Sequence, residues 1–152
     1  MTRYGSQFGP NYTFLGVPEC DLDDLSTYSE ADVVIVGAPF DGGASYRGGA
    51  RFGPQALRAA CYLEHDGSRP SLAMRVDGLK DLTVVDAGDV ELYSGDAARS
   101  CADLEVEIER IARSGAIPVV LGGDHTITWP DATGVARARG WGKVALIHFD
   151  AH

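Results

Sequence analysis

Four short apolar runs recur along the chain, each closed by glycine or aspartate. Val33-Val34-Ile35-Val36-Gly37 is continuous and β-branched, the pattern of a strand buried on both faces. Leu82 to Val85 repeats it before Asp86-Ala87-Gly88-Asp89, Ile117 to Leu121 before Gly122-Gly123, and Lys143 to Phe149 before Asp150. Between the runs the period lengthens. From about Ala97 to Arg113, Leu104, Ile108, Ile111 and Ala112 fall on one helical face, and Gly115 is a natural stop. Pro54 opens an earlier helix whose stripe is read as Leu57, Ala60 and Cys61. A shorter helix runs through Pro130 to Arg137, with Gly140 after it. Alternating strands and helices of this texture predict an α/β fold of βαβ units, with a parallel sheet covered on both faces. Ile35, Val85, Val119 and Ile147 are expected in adjacent parallel strands, nearly fully buried.

Residues 1–30 are rich in Gly, Pro, Asp, Ser and Tyr and show no clean period. They are expected to form an irregular arm lying on the domain or on a neighbouring subunit, with 31–152 as part of one α/β domain. Length and composition agree: 152 residues, 45% hydrophobic, suit one globular domain with a real core. The net charge of −9 argues against nucleic acid and anionic membranes as partners, and would steer a cationic ligand inward. No stretch approaches the ~20 apolar residues that span a bilayer, and Met1 to Pro10 lacks the apolar segment of a signal peptide. Cys20, Cys61 and Cys101 are odd in number, far apart and without a CxxC pair. Two of them fall on the apolar side of expected helices, as buried thiols. The expected compartment is the cytoplasm.

In parallel sheets ligands bind beyond the carboxyl ends of the strands, and the polar groups of this chain gather there. Asp150 and His152 stand two apart, so on an extended segment both point to one side and reach one ion. A carboxylate can bridge two ions, and imidazole suits first-row metals such as manganese or nickel. His125, leaving a neighbouring strand end after Gly122-Gly123-Asp124, is placed to complete the site. The two glycines are read as permitting a sharp turn. On spacing alone, a His–Asp pair at a strand end is more often a hydrogen-bonded structural pair than a metal site. Asp124 is expected to support His125 or cap a helix, and Asp86 and Asp89 to cap turns. His148 is expected to alternate away from Asp150 and lie buried and hydrogen-bonded. The glycine-rich stretch Asp41 to Gly49 is not a phosphate loop, lacking a GK[ST] ending or GxGxxG spacing. Tyr46 and Arg47 line a pocket or hold this loop down, and Arg51 is expected to hold it.

Three segments taken together resemble the arginase/agmatinase-type ureohydrolase family. Gly37-Ala38-Pro39-Phe40-Asp41-Gly42-Gly43-Ala44-Ser45-Tyr46-Arg47, continuing to Gly49-Ala50-Arg51-Phe52-Gly53-Pro54, resembles the first-loop signature of agmatinase-like members. Leu121-Gly122-Gly123-Asp124-His125-Thr126 resembles their GGDHS motif, and His148-Phe149-Asp150-Ala151-His152 the start of their DAHxD motif. Thr126 stands where Ser is usual, and Gly48 where Pro is usual.

The resemblance implies a three-layer α/β/α fold with a mostly parallel sheet, here truncated, and a centre of two Mn2+ ions, with Ni2+ as the alternative. By position His125 would bind one ion, Asp150 would bridge both and His152 would bind the other. The implied reaction is hydrolysis of a small cationic guanidino substrate, foremost agmatine, to urea and an amine. Guanidinobutyrate, proclavaminate, arginine and guanidine are the alternatives. The implied assembly is a homo-oligomer, a trimer or hexamer. Further carboxylate ligands would lie past residue 152, so the 152-residue chain alone is expected to be inactive. A reading of another class is a catalytically incomplete fragment acting only as a structural or assembly subunit.

Overall fold

A computed structural model of the chain describes residues 12–60 and 73–150. Its centre is β1 (Val33–Ala38), flanked in parallel by β2 (Val84–Asp89) and β3 (Ile117–Gly122) in the order β2-β1-β3. Val34 pairs with Val85 on one side and Pro118 on the other, and Val36 with Val120. Side chains alternate across a pleated sheet, so Val34, Val36 and Ala38 share one face and Val33, Ile35 and Gly37 the other.

Helices cover the two faces unequally. Against the first lies α3 (Ala97–Ser114), whose Leu104, Ile108 and Ile111 join Val34, Val36, Ala38, Val85 and Ala87 in the main core. α3 starts where Asp96 accepts the Arg99 amide at 2.9 Å, one of the helix's unpaired N-terminal donors. It stops at Gly115, whose φ of 103° a side chain would resist. α4 (Thr128–Arg139) packs on α3 at Gly134, where a Cβ would strike Ile108 and the α3 backbone. The opposite face buries Ile35 with Val17 and Leu121, under residues from the N-terminal segment and from α2 (Gly78–Asp81). α1 (Gly53–Ala60) lies on this face, Pro54 standing over Gly37. The layers are therefore helix, parallel sheet, helix.

Residues 12–30 hold two 3-10 turns, Phe14–Gly16 and Leu25–Thr27, and lie along β2. Glu19 bridges to Asp86 in parallel, with Cys20 N donating to Asp86 O at 3.0 Å and Asp86 N to Pro18 O at 2.9 Å. Leu22 and Tyr28 from this segment are core residues. Irregular backbone thus closes the β2 edge.

Several expectations are corrected. Lys143 to Phe149 is not a strand: the segment carries no regular structure, and Ile147 is 79% exposed. The positive φ of Gly140 and Gly142 turns the chain between α4 and this run, and without a paired neighbour an apolar run has no cross-strand contacts to hold it extended in a sheet. Val119 belongs to β3 but is 39% exposed, because among the described residues nothing pairs with the far edge of β3. The inward residues of α1 are Pro54 and Arg58, not Leu57 and Ala60, which are exposed; Cys61 lies outside the described residues. β2 itself runs on through Asp86 and Asp89, so neither is a turn cap.

Candidate metal centre

The segment after β3 is held against the end of β1. Gly123 N donates to Ala38 O at 3.3 Å and Asp124 N to Phe40 O at 2.7 Å. A Cβ on Gly123 would collide with those two carbonyls, and one on Gly122 with the Ile127 side chain. Neither glycine has positive φ. Close approach of two backbones, rather than a sharp turn, is what demands Gly123, while Gly122 makes room for the Ile127 side chain.

Asp124 positions the turn that carries His125. Its Oδ1 accepts the Thr126 amide at 2.9 Å, capping the 3-10 turn His125–Ile127, while Oδ2 accepts the Gly43 amide at 2.6 Å. One carboxylate therefore sets the backbone of His125 and ties the glycine-rich loop to it. The loop has its own anchor, buried Asp41. Asp41 accepts from Arg51 Nε at 2.7 Å and from the Gly49 amide at 2.6 Å, and Arg51 reaches on to Ser94 at 2.7 Å. The hydrogen bond from Arg51 holds the Asp41 carboxyl below the usual carboxylate range, outweighing burial. Arg51 does hold the loop down; Tyr46 and Arg47 are exposed, the guanidinium 5.0 Å from the ring centre.

Residues from the two chain segments meet at the surface. His125 Nδ1 lies 3.6 Å from Asp150 Oδ2, and His148 Nε2 lies 3.4 Å from the same oxygen. The two imidazole rings are 4.5 Å apart and tilted by 45°. One donor atom from each residue lies within 4.8 Å of the others. His125 and Asp150 are thus brought together, while His152 lies outside the described residues. His148 corrects its expectation: it is exposed and faces Asp150 instead of turning away. The signal was present in the sequence, since His148 and Asp150 are two apart, as Asp150 and His152 are. Two imidazoles and a carboxylate are a donor set suited to a first-row transition metal.

On the other side of β1, at β2, is a buried ion cluster that sequence reasoning missed. Arg58 Nε and Nη2 fork onto Asp86 at 2.9 and 2.8 Å, Nη1 binds Asp89, and Nη2 also reaches Gly88 O at 2.9 Å. Asp86 further accepts the Phe14 amide at 2.7 Å, so the N-terminal segment, α1 and β2 share one network. Burial disfavours the Arg58 charge, but the hydrogen bonds and charges of both aspartates together hold its pKa above the ordinary value. Sequence offered only Arg58 at i+4 from Pro54, one helical turn along the same face. Cys20, next to Asp86, has its thiol pushed up to about 12 by burial and by the charges of Asp86 and Asp21, so it is an inert packing residue.

A parallel α/β sheet with an imidazole just past the end of β3, approached by a carboxylate from a later segment, agrees with the comparison to known proteins. The Arginase family model matches residues 31–152, and the chain belongs to that family. It is 41% identical over 142 residues to the agmatinase of Edwardsiella ictaluri, covering 93% of this chain and 44% of that protein. The solved proclavaminate amidino hydrolase of Streptomyces clavuligerus superposes with a TM-score of 0.72 at 30% identity, over 86% of this chain and 40% of that one. The formiminoglutamase of Trypanosoma cruzi, solved with Mn2+, superposes at 0.62 with 30% identity, over 79% of this chain and 41% of that one. The chain spans less than half the length of the curated relatives it matches.

Proposed function

We propose that these residues are part of a ureohydrolase that converts a guanidino compound, foremost agmatine, to urea and an amine at a manganese centre. The observation that carries this reading is the meeting of His125, just past the end of β3, with Asp150, in a chain 41% identical to an agmatinase. Bound divalent ions would supply an acidified water and a positive clamp for the developing charge. The chain's own part is to hold and orient them. His125 and Asp150 would be ligands, joined by His152 on the family match. Asp124 fixes the backbone of His125, and Arg51 on Asp41 steadies the loop that Asp124 also grips. A net charge of −9 favours a cationic substrate over an anionic one. The 152 residues alone would hold only part of the ligand set and would be inactive. We place the protein in the cytoplasm as a homo-oligomer; among the described residues no helix is long and apolar enough to cross a membrane.

The test is a chimera in which residues 1–152 replace the matching part of the Edwardsiella ictaluri agmatinase. Urea release from agmatine with Mn2+ is expected, and its loss in His125→Ala and Asp150→Ala, the latter more severely. Guanidinobutyrate, arginine and guanidine run alongside rank the substrates. A chimera that folds and binds Mn2+ yet releases no urea from any of them would overturn the reading, as would full activity in either variant.

A further inference from the structure

We propose that Ala44 to Gly48 form a lid that closes Tyr46 over the bound substrate, and that Gly48 is what lets this chain hold the lid open. The inference rests on the ureohydrolase reading above and adds to it a residue that covers the guanidino compound.

The loop is clamped at both ends and free between them. At its near end Gly43 N donates to Asp124 Oδ2 at 2.6 Å, and a Cβ on Gly43 would strike Thr126 Oγ1. The loop therefore starts against the two chain neighbours of His125. At its far end Gly49 N donates to Asp41 Oδ2 at 2.6 Å, and Arg51 holds Asp41 in turn. From Ser45 to Gly48 no backbone amide finds a partner among the described residues, and every residue from Gly42 to Gly48 is exposed. Tyr46 is 76% exposed, with the Arg47 guanidinium 5.0 Å from its ring centre. It stands three residues past Gly43, so at most about 11 Å of chain separates it from the clamp beside His125.

Strain lies in the open arrangement. Arg47 has a φ of 54°, in the left-handed region that a side chain resists. That conformation depends on the residue that follows. A proline crowds the residue before it into extended backbone, and Gly48 stands where agmatinase-like loops usually have Pro. Space is not the reason for this glycine: a Cβ at 48 would meet only the Asp41 carboxylate, at 3.4 Å, an ordinary contact. Gly48 acts through Arg47. It admits the strained turn that sets Arg47 against Tyr46 and leaves the entrance clear. Relaxing Arg47 to extended backbone swings the segment between its two clamps and carries the Tyr46 ring across the site, where its face meets a cationic substrate. Strain of this kind is at home in loops that clamp a ligand.

The experiment has two arms. In the whole 152-residue chain, relaxation-dispersion NMR should show exchange at the Ser45 to Arg47 amides, and Gly48→Pro should quench it. In the agmatinase chimera described above, KM and kcat for agmatine and bound Mn2+ are measured for wild type, Tyr46→Ala, Tyr46→Phe and Gly48→Pro. The two positions should move KM in opposite directions. Tyr46→Ala should raise it by about threefold or more, the worth of one exposed cation–aromatic contact, and Tyr46→Phe should restore it because the ring does the covering. Gly48→Pro forbids the open conformation of Arg47, so it should lower both KM and kcat, a closed lid holding substrate and slowing product release. A loop that only supports the fold would raise KM or lower bound Mn2+ in both variants, and that result overturns the lid. Absence of exchange in the wild-type chain overturns it too. A wild-type chimera that binds Mn2+ yet turns over no guanidino compound overturns the ureohydrolase reading and takes the substrate role of Tyr46 with it, whatever the loop's exchange shows.

Discussion

β1 and the run from Lys143 to Phe149 are built from the same kinds of residue and end in opposite circumstances. In β1, Val34, Val36 and Ala38 are fully buried on one face and Ile35 is 3% exposed on the other. In the later run Leu146, Ile147 and Phe149 are 65%, 79% and 93% exposed. β3 is intermediate: Leu121 is buried, yet Ile117 and Val119 stay open. Distance from the strand pairings accounts for the gradient, since among the described residues β1 has a neighbour on each side, β3 has one and Lys143 to Phe149 has none. An apolar run in sequence expresses a demand for burial; which partner meets it is a separate matter, settled by topology.

The largest effect should come from the buried side of this contrast. Arg58→Met leaves Asp86 and Asp89 buried without their cation, and breaking such a cluster costs about 3–5 kcal/mol. Arg58→Lys should recover little, because an ammonium cannot fork onto Asp86 while also reaching Asp89. Urea unfolding followed by circular dichroism reads both; a loss below 1 kcal/mol in Arg58→Met would mean that hydrophobic burial alone sets this side of the sheet. Ile108→Ala comes next, at about 2–4 kcal/mol, since Ile108 is fully buried between the sheet and Gly134 of α4.

The legible part of the molecule was where local pattern and tertiary partner agree. Leu104, Ile108, Ile111 and Ala112 were readable as the inner face of α3 because period and stop both agree with the packing. β1 and β3 were readable for the same reason. α1 was misread because its inner face carries an arginine, and a charge is inward only when its counter-charges, here on β2, are already known. At the site, Asp124 and Arg51 were placed correctly by short-range chemistry. The pairing of His125 with Asp150 crosses 25 residues and depended on the order of motifs. His148 was missed through an error of alternation, although the His-x-Asp spacing was in plain view. Leu22 and Tyr28 had no period to betray them, since they lie on irregular chain.

A smaller effect sits at the loop beside the site. Arg51 holds the Asp41 carboxyl below its ordinary range. A depressed carboxylate contributes stability above its unfolded pKa, about 3.9, and loses it as pH falls through the lower folded value. Asp41→Asn should therefore unfold at lower urea than wild type at pH 7, by less than Arg58→Met because Arg51 is partly exposed. The gap should narrow below about pH 4 and close in stronger acid. A constant gap from pH 7 to pH 2 would assign the effect to the Gly49 amide contact rather than to charge.

The smallest effect is expected at the other end of the comparison. Ile147→Ser and Phe149→Ser remove large apolar groups that are 79% and 93% exposed, so each should leave unfolding free energy within about 0.5 kcal/mol of wild type. Val36→Ser, a change of similar character on a fully buried strand residue, should by contrast cost several-fold more, because it removes packing and buries a hydroxyl. Exposed apolar side chains have a second consequence. Leu146, Ile147 and Phe149 lie in the same molecule as the outer edge of β3, which no other described residue pairs and where backbone donors and acceptors invite pairing with another chain. The serine variants should therefore aggregate less on concentration, read by light scattering at fixed temperature, while melting as wild type does. Stability falling by 2 kcal/mol or more would show that the run is packed in solution, and the contrast between β1 and Lys143 to Phe149 would collapse. Unchanged stability with unchanged aggregation would instead leave the edge of β3 as the source of self-association, which Val119→Lys, on that edge, would then be expected to suppress.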